Sequence, residues 1–413
     1  MHIAFVSFEY PPDTADGGIA TYVQQAVRML LSRGHTLEVF AASRTRTLTE
    51  NASNLHVYRI KVADRQEFVA SIAPIFAKCH TNTPFDVLEA PDFNADARHI
   101  VTLTPDIPLV VRLHTPRYLA NALNTWSAVT AESESLTESQ RQIESSPPYT
   151  PQPLPDYDYL HDPEYLQILQ ADGIAAPSHA IRNIVCRDWN LNPGLVEVIP
   201  NVYQPAPALL ELPVATATGD VTFIGRLEQR KGVLTLAQAI PMILKRRSHT
   251  RFRFVGRPIA SPDPSLNMRE YLQHLLAPYT AAITFTGLVP LEGIPQALRD
   301  AQVCVFPSRW ENFPCVCLEA MAAGRGIVGS MEGGMAEMLQ DRAGVLVAPD
   351  NPAQLADAIV MLLDNPAMQR EMGQQARSRV QALYGIDRIA PLQEASYRRA
   401  IAHRQQTGPR HST

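Results

Sequence analysis

The 413-residue chain has no apolar run of the ~18 or more residues that a membrane-spanning helix requires. Its opening, MHIAFVSFEYPP, carries no basic stretch ahead of the apolar residues, so no secretory leader is expected. The expected location is the cytoplasm, with membrane contact at most peripheral, at the inner face. Cysteine is scarce: Cys79, Cys186, Cys304, Cys315 and Cys317 are odd in number, scattered, and without metal-ligand spacing. That excludes a disulfide framework and argues for free thiols in a reducing compartment. Charge of one sign is not in excess either, with 36 Lys and Arg against 41 Asp and Glu. Nucleic acid is therefore not an expected partner. No G-x-G-x-x-G stands between a strand and the helix it opens, since the one such run, Gly324 to Gly329, overlaps a strand-like segment, which argues against a dinucleotide-dependent dehydrogenase. The one Asp-x-Asp, Asp156 and Asp158, lies in a proline-rich stretch, so no metal is expected.

What is present is alternation. At 46% hydrophobic and 19% charged, a chain of this length is expected to form two domains of roughly 200 residues. Short apolar runs read as strands at Ile3 to Phe8, Thr36 to Ala41, Leu55 to Ile60, Phe85 to Glu89, Leu109 to His114, Gly173 to Ala176 and Val196 to Ile199. A second series runs through Val221 to Gly225, Phe252 to Gly256, Ile283 to Gly287, Val303 to Phe306, Gly326 to Gly329 and Gly344 to Ala348. Helical patterns such as Ile19 to Ser32 separate several of them. The predicted fold class is α/β, with two doubly wound, parallel-sheet, Rossmann-like domains. They are expected at 1–201 and 220–385, joined by a hinge at 202–219 where three prolines interrupt the pattern. The tail 403–413 reads as frayed.

Residues 117–160 break the regularity. Five prolines lie between Pro147 and Pro155, and residues 130–164 hold eight acids against Arg141 alone. The segment reads as an irregular insertion able to contribute to an acceptor site, or as a surface loop without a role.

The stretch PSRWENFPCVCLEAMAAGRGIVGSMEGGMAE, 307 to 337, places Glu311 on a loop after a buried strand and Glu319 on the helix that follows. Asn312 is expected to cap that helix, whose first turn tolerates Pro314. Carboxylates so placed suit sugar hydroxyls. Two glutamates at this spacing occur by chance in most long chains, so the context carries the argument.

That context resembles the retaining glycosyltransferases of family 4, which have a Glu-x7-Glu signature here. The likeness covers nearly the whole chain in order: EYPPDTADGGIATYV (9 to 23), RLHTP (112 to 116), VIPN (198 to 201), FIGRLEQRKG (223 to 232), FRFVG (252 to 256) and GGMAE (333 to 337). It implies the GT-B fold, two Rossmann-like domains facing a cleft, with the helix 386–402 crossing back to brace the first. It also implies transfer of a hexose-type sugar from a nucleotide sugar to a glycan or lipid-linked acceptor in cell-surface polysaccharide synthesis. No cofactor or metal is implied.

By the same resemblance, Arg226 and Lys231 neutralise the departing diphosphate, although composition alone would make them a solvated basic turn. Gly17 and Gly18 allow backbone N–H groups near the donor phosphates. His114 contacts the donor sugar, Glu311 approaches the sugar ring, and Glu319 takes the ribose hydroxyls. Gly225, Asn312, Phe313, Gly334 and Met335 complete the donor-binding set. Pro314 departs from the glycine usual in the family, and supports the rival reading, a non-catalytic sugar-nucleotide-binding or scaffold protein of the same fold.

Overall fold

The short apolar runs fold as strands buried on both faces, as parallel sheets require. The computed structural model describes residues 1–14, 17–125, 151–216 and 218–410. These residues form two α/β units, and much of the insertion therefore lies outside the described residues.

The first unit comprises Met1–Ala120, Gln152–Gln204 and Tyr384–Thr413. Its strands are β1 (His2–Ser7), β2 (Thr36–Ser43), β3 (Leu48–Ala52), β4 (Leu55–Lys61), β5 (Val87–Pro91), β6 (Leu109–Arg112), β7 (Gly173–Ala176) and β8 (Val196–Val198). They lie in the order β3-β4-β2-β1-β5-β6-β7-β8. Strand β3 was not expected: its polar side chains carry no apolar signal, and it pairs antiparallel to β4 at the sheet edge. The strand order reverses between β1 and β5, and open α/β sheets take ligands at the carboxyl ends of such strands.

The last helix, Ile386–Thr407, belongs to this first unit. Gln393 and Tyr397 reach Glu89 of β5 at 2.9 and 2.6 Å, and Tyr22 reaches the same carboxylate at 2.6 Å. The expected fraying from His403 is corrected. The helix continues to Thr407, and beyond it Arg410 bonds Asp172 at 2.7 Å and the Ile107 carbonyl at 2.7 Å. The Asp172 side chain has no exposed surface and also pairs with Arg404.

The second unit contains Pro205–Leu383. Strands β9 (Asp220–Ile224), β10 (Arg251–Val255), β11 (Ile283–Gly287), β12 (Ala301–Phe306), β13 (Gly326–Ser330) and β14 (Val345–Val347) are all parallel, in the order β11-β10-β9-β12-β13-β14. The reversal lies between β9 and β12. Val221 and Phe223 pack with Val303 and Val305 under the helices Val233–Arg246 and Pro352–Asp364. Within the stretch expected as the hinge, 202–219, Pro207–Leu210 forms a helical turn, Leu209 and Leu212 are buried, and Arg377 binds the Leu212 carbonyl at 2.9 Å. Its apolar residues, not its prolines, decide its placement.

Candidate active site

The carboxyl ends of β9 and β12 carry the site of the second unit. After β9 the chain turns through Gly225, whose N–H bonds the Val255 carbonyl at 2.9 Å and is therefore engaged within the fold. Gly232, at φ 72°, starts the helix Val233–Arg246. A Cβ there would lie 1.8 Å from the Pro307 carbonyl oxygen, so only glycine lets the basic turn press against the end of β12.

That approach brings Lys231 onto Glu311 in a direct ion pair. Ser308 Oγ donates to the same carboxylate oxygen at 2.9 Å, and Arg230 stands 3.8 Å from it. Burial pushes the Glu311 carboxyl up, but Lys231 and Arg230 outweigh it and hold it below the ordinary value. Burial lowers the Lys231 ammonium, with Glu311 opposing. Arg230, read from sequence as an ordinary helix-start neighbour, is buried and bonds Glu228 at 2.9 Å. No local signal distinguishes it from Arg226. Arg226 keeps 46% of its side chain exposed, and meets Glu228 at 3.1 Å.

Asn312 and Phe313 are both buried directly after Glu311. The expectation that Asn312 caps the next helix is corrected: that helix is Cys315–Ala322 and Pro314 stands at its cap. Proline's missing N–H costs nothing in the first turn, so the boundary moves to it. Glu319 lies within this helix, 7% exposed. Its Oε2 is buried and meets no hydrogen-bond partner among the described residues. Burial alone pushes its carboxyl up to about 8. The two glutamates thus differ: Glu311 is matched by cations, whereas Glu319 is not.

The Gly333–Gly334 turn is tied to the same loop. Gly333 has φ 74°, and a Cβ would stand 2.1 Å from the Glu311 carbonyl oxygen. Gly334 donates its N–H to that oxygen at 2.8 Å. That N–H is therefore engaged within the fold. Met335 is fully buried, its sulfur against Gly329.

In the first unit, Gly17 precedes the helix Gly18–Ser32. A Cβ on Gly17 would lie 2.8 Å from Glu9 Oε2, so the missing side chain makes room for a carboxylate of the chain itself. Nothing lies within 4 Å of the corresponding position on Gly18. His114 follows β6 and is almost wholly buried. Its backbone N–H donates to Asp92 Oδ1 at 2.8 Å, and its ring meets Tyr22 edge-on at 5.5 Å. Burial, reinforced by Arg112 and Arg65, drops its pKa to about 3, so the imidazole is neutral at physiological pH. Asp158, one of the Asp-x-Asp pair, pairs with His161 at 2.7 Å. Among the described residues no three His, Cys, Asp or Glu side chains gather as metal ligands.

Comparison with known families accounts for the pattern over most of the chain. The family model Glycosyltransferase Family 4 matches residues 16–206, and the model Glycosyl transferases group 1 matches residues 218–365. An uncharacterised glycosyltransferase of Methanocaldococcus jannaschii is 25% identical, over 94% of this chain and 96% of that protein. Sucrose-phosphate synthase from Thermosynechococcus elongatus superposes with a TM-score of 0.71 at 22% identity, over 97% of this chain and 99% of that one. Anabaena HepE, solved in complex with UDP-glucose, superposes with a TM-score of 0.61 at 16% identity, over 96% and 100%. These likenesses to solved structures show the GT-B fold.

Proposed function

We propose a specific reaction for this chain, which belongs to glycosyltransferase family 4: transfer of a hexose from a nucleoside-diphosphate sugar to a hydroxyl of a glycan or glycolipid, with retention and without a metal ion. The observation that carries this reading is the Lys231–Glu311 ion pair beside Arg230, at the carboxyl ends of β9 and β12. Charge grows on the departing diphosphate as the anomeric bond stretches, and fixed cations stabilise it there. Lys231 and the half-exposed Arg226 supply those cations. Glu311 keeps Lys231 charged despite its burial, and its own oxygens face the sugar.

Glu319 takes the ribose hydroxyls, since a carboxylate accepts from two neighbouring OH groups. Its unpartnered buried oxygen supports that role. His114 serves as a neutral hydrogen-bonding group toward the sugar rather than a proton shuttle, consistent with its lowered pKa. The acceptor hydroxyl attacks the anomeric carbon on the face the diphosphate leaves, and its proton passes to the departing phosphate oxygen. UDP-glucose is the first donor to test, because the similarly folded HepE was solved with it. Cell-surface polysaccharide synthesis at the inner membrane face is the setting we assign; among the described residues no helix is long and apolar enough to cross a membrane.

The test is a thermal-shift screen of UDP-, GDP- and ADP-sugars followed by transfer assays with a labelled donor. A nucleotide sugar that stabilises the protein and is consumed supports the reading. Stabilisation with neither transfer nor slow hydrolysis points to a binding protein instead.

A further inference from the structure

We propose that Asn94 binds the acceptor, a polyhydroxylated carbohydrate or cyclitol, through its side-chain amide. This inference rests on the transferase reading above and adds a residue and an acceptor chemistry to it. Asn94 lies just past the carboxyl end of β5, the strand beside β1 at which the order of the first sheet reverses. Open α/β sheets take their ligands at that place.

The backbone there is held in an unfavourable shape. Asn94 has φ 61° and ψ 13°, and Ala95, buried behind it, has φ 54°. Asparagine tolerates the left-handed region, but alanine does so poorly, and two such residues in succession persist only where the surroundings over-determine them. The surroundings do so here. Glu164, 2% exposed, accepts the Asn94 N–H at 2.7 Å, and Asp92 accepts the Phe93 N–H at 2.7 Å. Arg98 donates to the Asn94 carbonyl at 3.2 Å, and Arg65 to the Phe93 carbonyl at 3.1 Å. Gln167, buried too, accepts the Ala97 N–H at 2.8 Å and donates to the Pro91 carbonyl at 2.8 Å.

The turn is thus clamped on both sides, yet Asn94 is only partly buried and its side-chain amide forms no hydrogen bond with a described residue. An amide presents donors and an acceptor together, which matches adjacent hydroxyls. Glu164 also accepts the Arg117 N–H at 2.8 Å, so one carboxylate fixes both this turn and the segment that follows His114. A turn held this firmly around an unused polar group is a preorganised contact.

The test uses the whole chain with UDP present and reads binding of maltotriose and of myo-inositol by saturation-transfer NMR. Wild-type protein is expected to bind at least one probe. Asn94→Gly, which fits the left-handed turn without strain but lacks the amide, is expected to weaken that probe by about tenfold, the size of one or two lost hydroxyl contacts. Its melting temperature should be no lower than wild type, and the shift produced by UDP should be the same. Asn94→Asp keeps the shape and loses the N–H donors, and should fall between the two. Equal affinity in Asn94→Gly and wild type overturns the assignment, as does wild-type protein that binds neither probe. Failure of the transferase reading itself would show separately, as no UDP-induced shift and no consumption of UDP-glucose.

Discussion

The ammonium of Lys231 rests on Glu311 Oε1, an oxygen that Ser308 also reaches at 2.9 Å. Both partners are mostly buried, so each depends on the other to remain charged. Lys231→Met leaves a carboxylate with only Arg230 nearby. Breaking a buried pair from one side costs about 3 kcal/mol or more, so a clear drop in the urea midpoint is expected. Turnover of the nucleotide sugar should fall about 10²-fold as well. The double variant Lys231→Met, Glu311→Gln should recover most of the stability and none of the turnover, which separates folding from chemistry.

Arg226 gives the opposite combination. It is half-exposed and, among the described residues, pairs only with Glu228, an interaction worth little in water. Arg226→Ala should therefore leave the melting temperature within experimental scatter while lowering turnover about 10²-fold. Wild-type kinetics in this variant would remove Arg226 from the diphosphate site.

Glu319 makes donor binding depend on pH. Hydrogen bonds from ribose hydroxyls favour the ionised carboxyl, whereas burial raises its pKa to about 8 in the empty site. UDP-glucose should bind more tightly from about pH 7 to 9, with a proton released that calorimetry in two buffers will detect. Stability runs the other way. The folded protein keeps this proton up to about pH 8, while the unfolded chain releases it near the ordinary carboxyl value, so the folded state holds more protons in between. Stability contributed by this group therefore falls as pH rises across that window. Glu319→Gln should melt higher than wild type at pH 7.5, bind UDP-glucose more weakly, and lose the pH dependence of binding.

His114 should leave no mark on the pH profile. With its pKa at about 3, it stays neutral between about pH 5 and 8, where a free histidine titrates. The kcat/KM profile of His114→Gln should keep the shape of the wild-type profile in that range at a lower height. A wild-type inflection near pH 6.5 that vanishes in the variant would restore a proton-transfer role.

The carboxyl-terminal residues should matter to stability. Asp172 has no exposed side-chain surface and receives Arg404, Arg410 and His403. Truncation after Thr407 removes Arg410, which also fills the Pro105 and Ile107 carbonyls. A loss of about 1 to 3 kcal/mol in urea unfolding is expected. Asp172→Ala should cost more, because it strands the Arg404 and Arg410 guanidinium groups and removes the acceptor of His403.

Most of the strands, and the doubly wound character of both sheets, were legible in the chain because each signal is local: a short apolar run, a turn residue, a helical period of apolar positions. Strand β3 escaped because an exposed edge strand needs no apolar residues. The spacing of Glu311 and Glu319 was equally plain, and so was the basic turn at Arg226 to Lys231. Their relation was not. Lys231 and Glu311 are 80 positions apart and meet only because β9 and β12 are neighbours at the point where strand order reverses. The same crossing buries Arg230 beside them while Arg226, in the same short turn, stays half-exposed. Asn94 illustrates the rest: its letter reports a residue that tolerates a left-handed turn, but the clamp comes from Glu164, 70 positions away. Apolar periodicity needs only neighbours along the chain, whereas charge matching and backbone strain depend on which distant elements the packed sheet sets side by side.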